Sequence, residues 1–118
     1  MRILRRLLVL CTFLALPALC PAGSFSNGSA AVSCPSSGNE QLTSTQLIVA
    51  WAVIQAPAAN TGNVYFGGSG VTTSNGVYIV PGGSLNLPPR SNTAAFNLSG
   101  VYMACTQSGD SVTYIYAQ

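Results

Sequence analysis

Beyond residue 22, the chain consists of short apolar runs that Gly, Asn and Pro interrupt at intervals of about ten residues. No helix of normal length fits between these breaks, because a helical pattern needs about 10 continuous residues or more. The Asn75-Gly76 pair, which separates residues 71–73 from residues 77–80, is the strongest hairpin signal. This spacing predicts an all-β fold, a single small antiparallel β-sandwich of about seven or eight short strands.

Two of the runs predict how the strands face the core. Residues 47–55 (LIVAWAVIQ) form the longest apolar run after residue 22, and their β-branched side chains favour a central strand over a short buried helix. We expect Trp51 to lie in the core. Residues 111–116 are predicted to form the last strand, in which Val112, Tyr114 and Tyr116 share one face and Thr113 and Ile115 share the other.

The first 22 residues match the pattern of a secretory signal. Three arginines lie within the first six residues, residues 7–19 carry no charge, and small residues follow at Cys20 and Ala22. We predict a signal helix that is cleaved after Ala22, with export to the periplasm, the extracellular space or a virion surface. The apolar stretch is shorter than the about 20 residues of a spanning helix, so no stable membrane insertion of the mature chain is expected. Two alternatives are a lipoprotein acylated at Cys20 and a twin-arginine signal at Arg5-Arg6.

Charged groups are scarce in residues 23–118. This segment contains one glutamate, one arginine and one aspartate, which are Glu40, Arg90 and Asp110, and it contains no Lys or His. Its net charge is −1. General acid–base catalysis depends on such groups, so we predict that the protein is not an enzyme and uses no cofactor. The lack of a basic patch argues against nucleic acid as a partner. A net charge near zero favours association, so we expect a homo-oligomer.

Cys34 and Cys105 are the cysteines that remain after cleavage at residue 22, and they stand 71 positions apart. In an exported chain such a pair predicts a disulfide, with two buried free thiols as the alternative. A metal site is not expected, because no His and no nearby acid can complete a tetrahedron. Residues 23–39 are rich in Ser, Gly and Asn, which predicts a flexible arm or linker before a sandwich domain at 40–118, with a short strand at Ala30–Cys34 as an alternative for part of it.

The candidate binding residues lie in loops, because loops at the ends of a sandwich usually carry the contacts. They are Tyr65, Gly67, Gly68, Ser69, Gly70, Pro88, Pro89, Arg90 and Asn92. Turn geometry is the competing explanation for the glycines, which do not match a phosphate cradle because no Lys follows them. Glu40 and Asp110 would form a carboxylate pair only if the fold brought them together, and nothing in the sequence indicates that.

The stretch NTGNVYFGGSGVTTSNGVYIVPGGSLNLPP (60–89), continued by FNLSGVYMACTQSGDSVTYIYA (96–117), resembles a recurrent family of small tailed-phage virion proteins. Their pattern is of the type NTGxVYxGxxxVTTxxGxxLxPGxSxxL, followed by LSxxYxxxxxxGxxVxVxY. The matching positions are Asn60, Thr61, Gly62, Val64, Tyr65, Gly67, Val71, Thr72, Thr73, Gly76, Pro81, Gly82, Ser84, Leu87, Leu98, Ser99, Tyr102, Gly109, Val112 and Tyr116. The resemblance implies a β-sandwich similar to head-decoration or head-fibre proteins, most of which have no defined activity.

Two hypotheses about function result. The first is a non-enzymatic structural or decoration module of the phage-virion type that acts by protein–protein or surface binding. The alternative, which the export signal and the cysteine pair favour, is a secreted adhesin or pilin-like subunit stabilised by one disulfide. In either case the expected partner is a protein lattice, or a component of a cell surface or virion.

Overall fold

The computed structural model describes residues 25–28, 31–87 and 95–118, and these residues form eleven β-strands and one short 3-10 helix. The strands are β1 (Phe25–Asn27), β2 (Val32–Ser33), β3 (Glu40–Gln41), β4 (Ile48–Val49), β5 (Trp51–Gln55), β6 (Val64–Gly67), β7 (Val77–Ile79), β8 (Ser84–Leu87), β9 (Phe96–Asn97), β10 (Tyr102–Cys105) and β11 (Ser111–Ala117); the 3-10 helix is Leu98–Gly100. The predicted signal at 1–22 lies outside the described residues.

Every strand pairing is antiparallel, and most strands belong to one of two sheets. The first sheet has the order β1-β11-β5-β8, with β2 pairing β11 beside β1. The second sheet has the order β3-β10-β6-β7, and β4 forms a small ribbon with β9. The predicted all-β antiparallel sandwich is confirmed. Nine of the strands, β3 to β11, lie within residues 40–118, where about seven or eight were predicted, and β1 and β2 precede that segment.

The core lies between the two sheets, because period-two alternation sends every second side chain inward. The buried apolar side chains of the two sheets form one continuous cluster. Those of the first sheet are Ala52, Ile54, Val112 and Tyr114; those of the second are Val64, Phe66, Ile79 and Met103. Burial of each larger aliphatic or aromatic side chain contributes about 1.5–3 kcal/mol, so this cluster is the main stabilising feature.

The run at 47–55 is not one strand. A bend at Ala50 separates β4 from β5, and the Ala50 N–H donates to the Ala117 carbonyl oxygen at 2.8 Å. The expectation that Trp51 lies in the core is wrong. Ala52 and Ile54 take the inward positions of β5, so Trp51 points to the opposite face and is half-buried, with its ring centroid 5.9 Å from that of Phe25.

The hairpin signal at Asn75-Gly76 marks a longer connection than the sequence indicates. β6 and β7 do pair as a hairpin, but residues 71–73 form no strand, and a loop at 68–76 joins the two strands. Asn75 stabilises this loop through its side chain, which accepts from the Thr72 N–H at 2.7 Å and donates to the Gly70 carbonyl oxygen at 3.1 Å. The loop therefore depends on Asn75 as a bridging side chain, not as one residue of a two-residue turn.

The first sheet extends into the segment predicted as a linker. β1 pairs with residues 115–117 of β11, and β2 pairs with Ser111 and Val112. Cys34, next to β2, is buried and bonded to Cys105 at the end of β10, with their Cα atoms 5.8 Å apart. The predicted disulfide is confirmed, and it links the first sheet to the second.

Candidate functional site

Asp110 is the more constrained of the two carboxylates. It is buried in the turn before β11, and its oxygens accept from the N–H groups of Thr61 at 3.0 Å and Gly62 at 2.7 Å. The Thr61 hydroxyl donates to the same group at 3.3 Å. The Thr61 N–H is the largest cause that lowers the pKa of Asp110 below its ordinary value; burial partly opposes it, and the Gly62 N–H reinforces it.

Asn60 completes this arrangement, which we name the Asn60–Asp110 clamp. The Asn60 side chain donates to the Ser111 carbonyl oxygen at 2.8 Å and accepts from the Ser111 N–H at 3.1 Å. The clamp joins the β5–β6 connection to the β10–β11 connection, and both of these cross from one sheet to the other. A group held by three donors in this way is suited to holding loops together, which gives Asp110 a structural role.

Glu40 lies elsewhere, exposed on strand β3 of the second sheet, where its backbone pairs with Met103. Within the ranges that the structure describes, no group of three His, Cys, Asp or Glu side chains is placed to hold a metal ion. The same ranges contain no helix with the length and apolar character needed to cross a membrane.

The glycine-rich residues lie at one end of the second sheet. Gly67 is the last residue of β6, and Gly68, Ser69 and Gly70 are exposed in the loop that follows. The loop is held to the domain by Asn39, whose side-chain amide donates to the carbonyl oxygens of Ser69 at 2.8 Å and Val71 at 3.2 Å. Asn39 was not among the candidate residues, because its partners are about 30 positions away and leave no local signal.

Tyr65 lies on the outer face of β6, half-buried, directly opposite Tyr78 of β7. The two rings are 5.6 Å apart at their centroids and tilted by 40°. Gly76 packs against Tyr65, since a Cβ built on Gly76 would lie 2.9 Å from the Tyr65 Cβ. The structure thus brings Tyr65 together with the glycine-rich loop.

Strand β7 exposes apolar side chains that the sequence analysis did not select. Val77 is 62% exposed and Tyr78 is 57% exposed, and Val80, next to the strand, is 51% exposed. The continuous apolar run at 77–80 was a signal, since a half-buried strand should alternate with polar residues. We name these three residues, together with Tyr65, the β7 surface; Tyr65, Tyr78 and Val80 belong to its outer side, and Val77, opposite Phe66, belongs to its inner side.

A cleft opens where the two sheets end at β7 and β8. It has a volume of about 380 Å³ and continues from the apolar core. It is lined by Phe66, Gly67, Gly68, Val77, Leu85, Leu87, Gly100 and Val101. Pro88, Pro89, Arg90 and Asn92 lie outside the described residues, and β8 ends immediately before them at Leu87, on the wall of this cleft.

The turn at 81–83 belongs to the other end of β7. Gly82 has a positive φ of 78°, and the N–H of Gly82 donates to the Ala56 carbonyl oxygen at 3.0 Å. This turn carries the chain from β7 in the second sheet to β8 in the first. The glycine-rich loop and this turn therefore cannot contact the same small feature of a partner.

Comparison of the chain with protein-family models, with curated proteins and with solved structures finds no match. The resemblance to tailed-phage virion proteins therefore stays a hypothesis that depends on the residues quoted for it.

Proposed function

We propose that the protein is an exported, non-enzymatic structural module that binds a protein lattice or surface through the β7 surface. The observation that carries this proposal is the exposed apolar strand β7 beside the open cleft. Contiguous apolar side chains at a surface mark interaction sites in soluble proteins, and Tyr65, Tyr78 and Val80 form such a group on the outer side of β7, while Val77 lines the cleft on its inner side. Here they adjoin a loop rich in glycine, which lets a partner approach the backbone closely.

The geometry favours an extended protein segment as the bound element. β7 ends its sheet and pairs only with β6 among the described residues, so one side of its backbone is available to a further strand. Main-chain hydrogen bonds to such an edge provide affinity, and neighbouring pockets select the side chains. The cleft between Val77 and Leu85 is placed to receive an apolar side chain of the added strand.

The non-enzymatic part of the proposal depends on how few titratable groups the chain has. Asp110 is held by the clamp, and Glu40 is exposed on β3 without a partner base of the kind that catalysis requires. A catalytic turnover by the purified protein that disappears in Glu40→Gln or Asp110→Asn would contradict this part.

Export is supported by the disulfide, because such bonds persist in oxidising compartments. The disulfide also favours the alternative function, a secreted adhesin or pilin-like subunit, over a particle protein assembled in the cytoplasm. The two functions predict different partners for the same surface. Co-purification with virus particles supports the decoration role, and retention on intact cells supports the adhesin role.

The test uses the exported product of the full chain, immobilised and exposed to particles or cells from its native source. The double variant Val77→Thr/Tyr78→Thr keeps the strand propensity but removes apolar surface, so we expect it to lose capture by about tenfold or more. Ile48→Thr is the matched control, because Ile48 is 45% exposed on β4 and lies outside the β7 surface. Equal capture by the double variant and the wild type would contradict the proposal.

A further inference from the structure

We infer that the protein self-associates through the outer face of its first sheet, with a second copy of the same chain as the occupant. This inference concerns a different surface from β7 and goes beyond the proposed function, because it adds a contact between copies of the chain that does not depend on β7. Its evidence is the composition of that face, its shape and its lack of charge.

The strand register arranges the outer face in three rows that run across the sheet. The first row is apolar and consists of Phe25, Ala117 and Trp51. The second row has an apolar centre between two amides: Asn27, Ile115, Val53 and Asn86. The third row is polar: Thr113, Gln55 and Ser84. We name these residues the outer face.

The apolar part of this face is too exposed for a sheet that functions alone. Phe25 is 74% exposed and Ile115 is 40% exposed, although both occupy positions that a solvated antiparallel sheet usually fills with polar residues. Phe25 contacts Trp51 edge-on, which builds a continuous aromatic ridge at one end of the face. Exposure of such an apolar patch to water costs free energy. A surface that covers the patch removes this cost.

Charge favours a second copy as the covering surface. No member of the outer face is ionisable, and the acids of the described residues lie elsewhere, Glu40 on the second sheet and Asp110 in the clamp. A phosphate-bearing partner requires cations that this face lacks. The side chains at its margin are amides and hydroxyls, which both donate and accept, so each can pair with its own counterpart across a two-fold axis.

Shape leads to the same occupant. The outer face is formed by paired strands, and such a face can pack on another sheet with the strands aligned to within about 30°. A second copy supplies a sheet with the same pattern, so the apolar row of one copy can contact the apolar row of the other, and the polar rows can contact each other. The face spans four strands at about 4.8 Å spacing, which is small for a permanent dimer, so we expect weak and reversible association.

Trp51 reports on this interface directly, because it is the single tryptophan of the chain and belongs to the outer face. In the exported product of the full chain, we expect acrylamide quenching of its fluorescence to fall as protein concentration rises. Sedimentation should show the monomer converting to dimer over the same range. Quenching that does not change with concentration, or a monomer at every concentration, would overturn the inference. These results are expected if Trp51 is covered by its own copy of the chain and not by a second one.

Variants then separate the outer face from the β7 surface. We expect Phe25→Thr/Ile115→Thr to weaken self-association by about tenfold or more, because two exposed apolar anchors are lost. Val77→Thr/Tyr78→Thr and Ile48→Thr should leave self-association unchanged. Phe25 is mostly exposed, so an unchanged thermal midpoint checks that the variant is folded, and Ile115→Thr alone gives a second, milder substitution.

The outcomes distinguish the two proposals. Self-association that is lost in the Phe25/Ile115 variant, with partner capture retained per molecule, supports the inference whether or not the β7 surface proves functional. Self-association that survives this variant overturns the inference, and so does its loss in the Val77/Tyr78 variant instead. The proposed function fails separately, when the Val77/Tyr78 variant captures its partner as well as the wild type does.

Discussion

At the scale of single residues, Asp110 makes stability depend on pH. Its pKa is lowered in the folded protein, chiefly by the Thr61 N–H, while the unfolded chain has the ordinary value near 3.8. The unfolded state therefore takes up the proton first as pH falls. We expect the stabilisation to be complete above the ordinary pKa and to be lost as pH falls through the folded one.

The variant Asp110→Asn tests this expectation. Denaturant midpoints measured across acidic pH should drop for the wild type, while the variant should be less stable at neutral pH and lose this part of the acid dependence. Glu40→Gln is the control, because it removes a carboxylate without touching the hydrogen bonds to Thr61 and Gly62. An acid dependence that is the same in Asp110→Asn and the wild type would show that the clamp carboxylate has no such role.

Gly76 is a second residue that determines local packing, because its neighbours leave no room for a Cβ atom. A Cβ at this position would lie 2.8 Å from Val71 Cγ2 and 2.9 Å from Tyr65 Cβ, so one neighbour must move. We expect Gly76→Ala to destabilise the protein by about 1–3 kcal/mol, the range for overpacking. Gly70→Ala, in the same loop, meets no atom within 4 Å and should stay within about 0.5 kcal/mol of the wild type. Equal unfolding free energies for the two variants would contradict this explanation.

At the scale of elements, the disulfide joins the segment beside β2 to the end of β10 and closes a separation of 71 residues. The chain-entropy model assigns such a loop about 4 kcal/mol, so Cys34→Ala/Cys105→Ala should lower the free energy of unfolding by about that amount. Chemical denaturation of the two proteins measures the difference. Reduction of the wild type should bring its stability to that of the variant. A loss far below this estimate would contradict the chain-entropy explanation of the contribution of this disulfide.

At the scale of the whole molecule, the near absence of charge predicts an association that salt hardly changes. Residues 23–118 carry one Arg, one Glu and one Asp, and none of the described acids lies on the outer face. Screening acts on charge pairs, so we expect the dissociation constant of self-association to change by less than about threefold between dilute buffer and molar NaCl. Sedimentation equilibrium at the two ionic strengths measures it. A steep weakening in salt would mean that charged residues outside the described ranges, such as Arg90, hold the copies together.

Much of the fold could be predicted from local pattern. Frequent turn residues and β-branched runs exclude long helices, and period-two alternation grouped Val112 and Tyr114 on one face of β11, which the structure shows to be the buried one. The pairing of Cys34 with Cys105 could be predicted because the segment after residue 22 contains no other cysteine. These properties depend on residue identity and spacing, which can be read directly from the amino-acid sequence.

The tertiary structure alone decided which side of each strand faces water and which strands lie at an edge. Trp51 faces outward because Ala52 and Ile54 take the inward positions of β5, and a one-residue change of register would reverse that choice. β7 exposes Val77 and Tyr78 because it ends its sheet, a place in the strand order that its own residues do not encode. The clamp and the outer face likewise join residues about 30 to 90 positions apart, and only long-range pairing brings such residues together.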